Sequence, residues 1–369
     1  PIGTLSLLME SPRLFDLGGR TIDIITDYGT AFAITDSCTI QVGEGRKVSL
    51  FSPDNSLKIT SKGLQWPTDG VVFDNWWKAT LNRATDMKMP VGSSIKPISV
   101  YAPALELGAS PASVAYNLPV PIPGWKDAKG NDTWPTNYGG GNYVGPETLR
   151  TAMAKSHNTA AAYTLMNKVG VERSVDFLHR LGVDDSHIDA TPFGLSLGSS
   201  GITPLQMTVA YGVLANGGVY QEPISVLGIS DSNRDVVWDG HQHQDRRRVF
   251  SDSTSWMIVD MLKTAVASGT GTSAKIKGQT VGGKTGTNSD QKGVFFAGMT
   301  GYYSSALWVG HDNYKALSSK STGSGAAAPL WQAYMSKLHA NLPNRDILEG
   351  SASDYGCVKV ETCAVSGQL

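Results

Sequence analysis

The chain has 369 residues, of which 40% are hydrophobic and 17% are charged, and its formal net charge at pH 7 is −1. This balance lacks the basic surplus of a nucleic-acid-binding protein and the charged runs of a solvated tail. No stretch approaches the ~18 consecutive apolar residues of a membrane-spanning helix, and the length suffices for one large core or two smaller ones.

The sequence begins at Pro1, without a methionine or a signal peptide, so we expect a fragment or a processed form. Two of the three cysteines, Cys357 and Cys363, are close enough in sequence to close a small loop, and the sequence leaves open whether they are bonded. No histidine accompanies them, and the seven histidines of the chain show no metal-ligand spacing, so we predict no metal site.

In chain order, the first 60 residues carry little pattern. Short strand-like stretches at 21–25 and 48–51 are separated by glycine, aspartate and proline, which predicts a small β-rich or linker segment. An apolar helix is expected to follow, and Pro103 should kink or end it. Residues 118–145, rich in Pro, Gly, Trp and Asn, are predicted to form a long ordered loop of the kind that lines binding sites.

The rest of the chain predicts further helices and a sheet. Helices are expected over 146–155 and 160–168. Thr203 and Ser251 are predicted to cap two more, the first through a capping box with Gln206. Strands are predicted at 279–287, 293–300 and 304–309, the last two antiparallel, and a final helix at 327–338. This pattern indicates an α+β fold class, an antiparallel sheet flanked by helices.

Residues 91–97 contain a Ser-x-x-Lys motif made by Ser93 and Lys96. On a helix this spacing places both side chains on one face, so the amine can lie against the hydroxyl. Gly92 allows a tight turn into the helix, whose positive N-terminal field surrounds the serine. A hydroxyl is a poor nucleophile until a neutral lysine accepts its proton. Alone, the motif is common by chance.

Two further motifs follow in order. Ser156-His157-Asn158 is a Ser-x-Asn motif at a predicted helix end, and residues 284–287 place Lys-Thr-Gly on a predicted strand. Ser-x-x-Lys, Ser-x-Asn and Lys-Thr-Gly in this order are the signature set of penicillin-interacting serine enzymes. The chain therefore resembles the transpeptidase domain of class A penicillin-binding proteins, which cross-link peptidoglycan.

Two rival motifs are weaker. Residues 278–285 match the phosphate-binding loop G-x-x-x-x-G-K-[ST], but that loop needs a helix directly after it, and the apolar run at 294–296 is strand-like. Residues 194–198 match the G-x-S-x-G nucleophile elbow, but the elbow needs a helix beginning at the serine, here Ser196, and the capping signals place the next helix later. We expect Ser196 to lie in a packed turn.

The resemblance spans about residues 74–340 and includes segments outside the three motifs. These segments are 82–85, 135–138, 145–150, 203–207, 215–218, 308–310 and 327–331, and residues 363–367 resemble the tail after the domain. The family resemblance implies an all-helical subregion that carries the Ser-x-x-Lys and Ser-x-Asn motifs. Two features depart from the family: the strand pair expected before Asn82 is not recognisable, and the upstream glycosyltransferase domain of class A proteins is absent from the sequence.

The resemblance also implies roles for individual residues. The implied catalytic residues are Ser93, Lys96, Ser156, Asn158 and Lys284, and the implied substrate-binding residues are Asn158, Lys284, Thr285 and Thr287. Ser93 attacks the carbonyl between two terminal D-alanines, and Lys96 accepts its proton, with the pKa of Lys96 lowered by desolvation and by Lys284. The backbone N–H groups of Ser93 and Thr287 form the oxyanion hole. His157 is expected to point away and receives no role.

The resemblance divides the chain into an N-terminal segment, 1–60, a transpeptidase domain, 61–345, and a C-terminal tail, 346–369. The implied partners are peptidoglycan stem peptides and β-lactam antibiotics, with no cofactor and no nucleic acid. The implied location is the bacterial cell membrane, reached through a segment outside this sequence, with the domain on the extracytoplasmic side. Two other functions stay open: a β-lactamase, which hydrolyses its acyl-enzyme quickly, and a non-catalytic sensor that is acylated once.

Overall fold

This computed structural model describes residues 88–369, apart from 225–226, 231–233, 289–290, 312, 364 and 369, together with 23–26, 29–32, 39, 58–62, 70–72 and 84–85. The chain forms two units, Pro1–Thr80 and Leu81–Leu369. The divisions predicted at 60 and 345 stay predictions.

The first unit contains two described strand pairs, both antiparallel. Asp23–Thr26 (β1) pairs with Gly29–Phe32 (β2), and Lys58–Ile59 (β3) pairs with Val71–Val72 (β4). Strand β1 overlaps the strand predicted at 21–25, whereas the strand predicted at 48–51 lies outside the described residues.

The second unit contains short strand pairs and one three-stranded sheet. The short antiparallel pairs are Met89–Pro90 (β5) with Gly201–Ile202 (β8), Val114–Asn117 (β6) with Gly145–Thr148 (β7), Val219–Gln221 (β9) with Arg246–Arg248 (β12), and Gly228–Ser230 (β10) with Val236–Asp239 (β11). The sheet contains Gly282–Thr287 (β13), Gly293–Met299 (β14) and Ser304–Gly310 (β15) in that order, all antiparallel. The antiparallel pairing predicted for its last two strands is confirmed.

Helices surround this sheet and supply most of the core. In the part of the chain that the structure describes, the α-helices are Ala102–Glu106 (α1), Leu149–Lys155 (α2), Asn158–Thr164 (α3), Val171–Arg180 (α4), Pro192–Leu197 (α5), Pro204–Ala215 (α6), Gly240–His243 (α7), Asp252–Ser268 (α8) and Ala328–Leu338 (α9). Helix α6 packs on β15, and α8 packs on β13. Strand β14 is buried along its whole length, which explains its continuous apolar sequence. The α+β fold class is confirmed.

Both predicted caps are confirmed. The Thr203 hydroxyl accepts from the Gln206 N–H at 3.2 Å, and the Gln206 side chain accepts from the Thr203 N–H at 3.1 Å. The Ser251 hydroxyl accepts from the Thr254 N–H at 3.3 Å at the start of α8. Caps are predictable because both partners lie within one turn of the sequence.

One helix prediction was wrong, and one was wrong in part. Pro103 does not end its helix, because it is the second residue of α1, which continues to Glu106. The kink predicted at Pro103 stays a prediction. A 3₁₀ turn, Gly92–Ile95, and a π-helical turn, Pro97–Tyr101, lead into α1. The helix expected to start at Pro146 starts at Leu149, because residues 145–148 pair with β6 as strand β7 and Thr148 caps the helix.

Cys357 and Cys363, whose bonding the sequence leaves open, are free thiols. None of the helices in the described ranges is long and apolar enough to cross a membrane. Within the same ranges, no cluster of three His, Cys, Asp or Glu side chains is arranged to hold a metal ion.

Candidate active site

The turn that carries Ser93 is held between two other segments by close backbone contacts. Gly92 has φ +58°, and its N–H donates to the Gly198 carbonyl at 2.9 Å. A Cβ on Gly92 would lie 2.5 Å from the Thr287 carbonyl oxygen, so the two backbones touch. This contact places Ser93 beside the end of β13. The Ser93 side chain is half-buried, and within the described residues its hydroxyl makes no hydrogen bond.

Lys96 is fully buried and contacts the Ser-x-Asn motif. Its Nζ donates to Asn158 Oδ1 at 2.7 Å and to the Ser156 carbonyl at 2.9 Å, and the His157 carbonyl lies 3.4 Å away. Burial, and then the charge of Lys284, lower the pKa of Lys96 well below its ordinary value. The two causes expected from the sequence are therefore both present.

Lys284 lies on β13 and reaches the same motif from the opposite side. Its Nζ donates to Ser156 Oγ at 2.8 Å and to the Thr285 carbonyl at 3.0 Å. The side chain is fully buried, and burial lowers the pKa of Lys284 to about 7. Ser156 thus joins the two lysines, since its carbonyl binds Lys96 and its hydroxyl binds Lys284.

Ser156 makes both contacts because of an unusual backbone conformation. It ends helix α2 with φ 62° and ψ 32°, the left-handed region that few residues other than glycine adopt. In this conformation its N–H donates to the Met153 carbonyl at 3.1 Å, closing the helix end. The sequence does not predict the left-handed conformation of Ser156, since the residue expected at such a helix end is glycine.

His157 pairs with a buried carboxylate that the sequence analysis missed. Its Nδ1 lies 2.7 and 2.9 Å from the two carboxylate oxygens of Glu147, which is only 3% exposed. Because a carboxylate only accepts, Nδ1 carries the proton. Burial and the Glu147 charge raise the pKa of Tyr101, whose buried hydroxyl has no hydrogen-bond partner among the described residues. The His157 imidazole therefore bonds Glu147 and contacts neither lysine. Only the backbone carbonyl of His157 contacts Lys96.

The threonines after Lys284 also have defined partners. Thr285 Oγ1 lies 2.7 Å from Thr270 Oγ1. Thr287 Oγ1 accepts from the Gly323 N–H at 3.0 Å, which leaves its own proton available for a ligand. Thr270 is another residue that sequence reasoning missed, because the helix end that carries it shows no motif of its own.

The two rival motifs do not form their sites. Lys284 lies within β13, and strand β14 follows where a phosphate-binding loop requires a helix. Ser196 lies inside α5, so the packed turn expected there is a short helix. Its hydroxyl donates to the Pro192 carbonyl at 2.5 Å, and the side chain is buried.

The sequence matches the family described as penicillin binding protein transpeptidase domain over residues 52–335. The chain belongs to this family. Among curated relatives, it is 35% identical over 265 residues to penicillin-binding protein 1A of Aquifex aeolicus, covering 72% of this chain and 35% of that protein. It is 36% identical over 266 residues to penicillin-binding protein 1A of Clostridium acetobutylicum, covering 70% of this chain and 32% of that protein.

Solved structures of penicillin-binding proteins share the fold. The structure of penicillin-binding protein 1A from Haemophilus influenzae has a TM-score of 0.68 and 27% identity, covering 81% of this chain and 49% of that chain. PonA1 from Mycobacterium tuberculosis, in complex with penicillin V, has a TM-score of 0.62 and 21% identity, covering 77% of this chain and 76% of that chain. The chain spans about one third of the length of the curated relatives it matches.

The Gly92 contact yields a first prediction. Gly92→Ala should lower the free energy of unfolding by about 3 kcal/mol, because a Cβ would meet the Thr287 backbone at 2.5 Å and displace the turn that carries Ser93. Urea unfolding measures the effect. The matched control is Gly140→Ala, which also has a positive φ, +79°, but nothing within 4 Å. That variant should lose only about 1 kcal/mol; equal losses in both variants would contradict the prediction.

Proposed function

We propose that this chain is a serine D,D-transpeptidase of peptidoglycan synthesis. It forms an acyl-enzyme on Ser93 with stem peptides that end in D-Ala-D-Ala, passes the acyl group to an amine of a second peptide, and is acylated by penicillin and other β-lactams. The observation that carries the proposal is the pair of buried lysines that Ser156 joins beside the Ser93 turn.

Lys96 acts as the base for Ser93. A neutral amine has two N–H donors and one lone pair. Nζ has three acceptors around it, and the two nearer ones, Asn158 Oδ1 and the Ser156 carbonyl, use both donors, while the His157 carbonyl at 3.4 Å is the weakest contact. The lone pair is then free to accept the Ser93 proton. Burial and the charge of Lys284 lower the pKa of Lys96 well below its ordinary value, which raises the fraction of this neutral form.

The attack forms a bond between Ser93 Oγ and the substrate carbonyl carbon. The developing oxyanion is bound by the backbone N–H groups of Ser93 and Thr287, which the contact of Gly92 with Thr287 brings close together. The C–N bond to the last D-alanine then breaks, the departing amine takes a proton from Ser156, and the proton held by Lys96 restores the Ser156 hydroxyl. The Ser156 hydroxyl is suited to this because it accepts from Lys284 and its own proton remains free.

Lys284, Thr285 and Thr287 bind the terminal carboxylate of the substrate. Thr287 Oγ1 still has a proton to donate, and a carboxylate beside Lys284 favours the charged form of that lysine. In the second half of the reaction, an acceptor amine attacks the ester carbonyl and gives its proton to Ser156, whose own proton passes to Lys96. The ester C–O bond then breaks, and Lys96 gives that proton to the Ser93 oxygen. The proton that left with D-alanine is thus replaced by one from the acceptor amine.

We further propose that this domain works as part of a longer protein. Its curated relatives are about three times as long as the matched segment. We propose an upstream glycosyltransferase domain and a membrane anchor outside this sequence, with the transpeptidase domain on the extracytoplasmic side of the bacterial cell membrane.

The proposal is tested on the wild-type protein. Incubation with benzylpenicillin should add one equivalent, and peptide mapping by mass spectrometry should locate the adduct on Ser93. Incubation with a D-Ala-D-Ala peptide and an acceptor amine should release D-alanine and form the transpeptidation product. An adduct on Ser196, or no adduct, would contradict the proposed mechanism. Acylation without any release of D-alanine would favour a sensor.

We expect the penicilloyl-enzyme to be long-lived. Fast ester hydrolysis needs a second base to activate water, in class A β-lactamases a glutamate after the Ser-x-Asn motif. Between Glu172 and Glu222 this chain has no glutamate. Of the four aspartates there, Asp176, Asp184 and Asp185 are exposed, and the carboxylate of Asp189 accepts from Thr191 at 2.8 Å and from Ser199.

Stopped-flow with nitrocefin should therefore show release of about one equivalent of product, followed by a very slow steady state. Several turnovers per second would reject the transpeptidase function in favour of a β-lactamase.

A further inference from the structure

Helix α3, which begins at Asn158, lacks a cap of its own. The residue before it, His157, makes no capping bond with its side chain. The first N–H groups of a helix have no helical partner and need an acceptor from elsewhere. Asn137, 21 residues earlier in the chain, supplies it: Asn137 Oδ1 lies 2.7 Å from the Asn158 N–H and 3.4 Å from the Thr159 N–H.

The Asn137 side chain is itself fixed. It is 4% exposed, and its Nδ2 donates to Asn117 Oδ1 at 2.8 Å and to the Asn142 carbonyl at 3.0 Å. Asn117 is fully buried, and its Oδ1 also accepts from the Thr159 hydroxyl at 2.5 Å. Because backbone donors face one end of the Asn137 amide and a backbone carbonyl faces the other, its orientation is determined by the network.

The neighbour of Asn137 holds the other side of the same residue. The Thr136 carbonyl accepts from Asn158 Nδ2 at 2.7 Å. Asn158 is therefore bound through its backbone by Asn137 and through its side-chain nitrogen by Thr136. The one remaining polar atom of the side chain, Oδ1, accepts from Lys96 Nζ at 2.7 Å.

We propose that Asn137 is a positioning residue of the reaction: by capping α3 it sets the place of Asn158, and through Asn158 it sets the place of Lys96. This rests on the proposed function, in which Lys96 accepts the Ser93 proton. Without the Asn137 amide, two N–H groups lose their acceptor, and the helix start must shift to find another. A displacement of about 1 Å in a reacting group costs ~100-fold in rate.

The test compares Asn137→Ala, Asn158→Ala and the double variant by stopped-flow acylation with nitrocefin over a range of concentrations. Asn137→Ala should lower the rate constant at saturating nitrocefin about 10- to 100-fold and leave the dissociation constant of the non-covalent complex within about threefold. The double variant should react no more slowly than Asn158→Ala alone, because both substitutions disrupt the same interaction, the contact of Asn158 with Lys96. The matched control is Asn131→Ala in the same loop. Among the described residues the Asn131 side chain bonds only Asp127, with Nδ2 donating to Oδ2 at 3.3 Å, so the rate should stay at the wild-type value.

The first-order rate constant reports on folded molecules alone, so partial unfolding does not alter it. If the alanine variant yields no folded protein, Asn137→Ser, which is too short to reach the Asn158 N–H, replaces it with the same expected loss. Two outcomes would overturn the positioning role. One is an Asn137 variant that melts at a lower temperature but reacts at the wild-type rate. The other is a double variant in which the rate losses of the two single variants add. If the wild type forms no adduct on Ser93, the proposed function itself fails.

Discussion

Replacing Ser93 with alanine is expected to abolish covalent labelling by benzylpenicillin and to leave the fold intact. The hydroxyl makes no hydrogen bond within the described residues, and the side chain is half-buried, so its loss removes the nucleophile without breaking a structural contact. Intact-mass spectrometry after prolonged incubation should show no adduct, and the melting temperature should stay within a few degrees of the wild-type value.

The matched control for Ser93→Ala is Ser196→Ala. Ser196 lies in the rival motif, and its buried hydroxyl bonds the Pro192 carbonyl. Its loss should cost about 1 kcal/mol of unfolding free energy and leave labelling complete. An adduct on the Ser93→Ala protein, or a protein no longer labelled after the Ser196 change, would show that the nucleophile has been misassigned.

Lys96→Arg should nearly eliminate acylation, whereas Lys284→Arg should retain about a tenth of the wild-type rate. A guanidinium stays protonated near neutral pH and cannot accept the Ser93 proton, so the first change removes a general base, a loss of about 1,000-fold. The role of Lys284 is mainly its positive charge, which arginine keeps. Acylation rate constants for both variants decide this; a greater loss in Lys284→Arg would require the two roles to be exchanged.

The pH dependence of the acylation rate tests the same two lysine roles. Wild-type acylation should rise with pH as Lys96 loses its proton and fall above about pH 7 as Lys284, with its pKa of about 7, loses the charge that binds the carboxylate. Because the two lysines interact, the apparent pKa values of the acid and alkaline limbs of the pH profile belong to the pair and not to either lysine alone. In Lys284→Arg the alkaline limb should disappear, because arginine keeps its proton. Rates measured between about pH 5 and about pH 10 test this; an unchanged alkaline limb would contradict the assignment.

Local sequence patterns predicted much of this structure. Thr203 with Gln206 and Ser251 specify helix starts through partners within three residues. The order of the three motifs, which is rare by chance, predicted the candidate site. The predicted convergence of Lys96, Ser156, Asn158 and Lys284 is found as a set of hydrogen bonds. Their catalytic roles remain proposals.

The features that were missed depend on contacts between distant parts of the chain. Residues 145–148 carry a helix-start pattern, but pairing with β6 makes them a strand. The Glu147–His157 pair spans ten residues and the Asn137 cap spans 21, and neither spacing matches a periodic pattern. Such contacts are determined by tertiary packing, which overrides the local preference of a short segment.

The left-handed conformation of Ser156 has a consequence for any attempt to make this domain more robust. A residue with a Cβ pays ~1–2 kcal/mol for this backbone geometry, and glycine does not. Yet the geometry directs the serine carbonyl to one lysine and its hydroxyl to the other. If Ser156 protonates the leaving amine as proposed, thermal stability and catalysis favour different residues at this position. Selection for thermal stability alone would favour glycine, which relieves the backbone strain but removes the proton donor, and the selected variants would be folded and inactive.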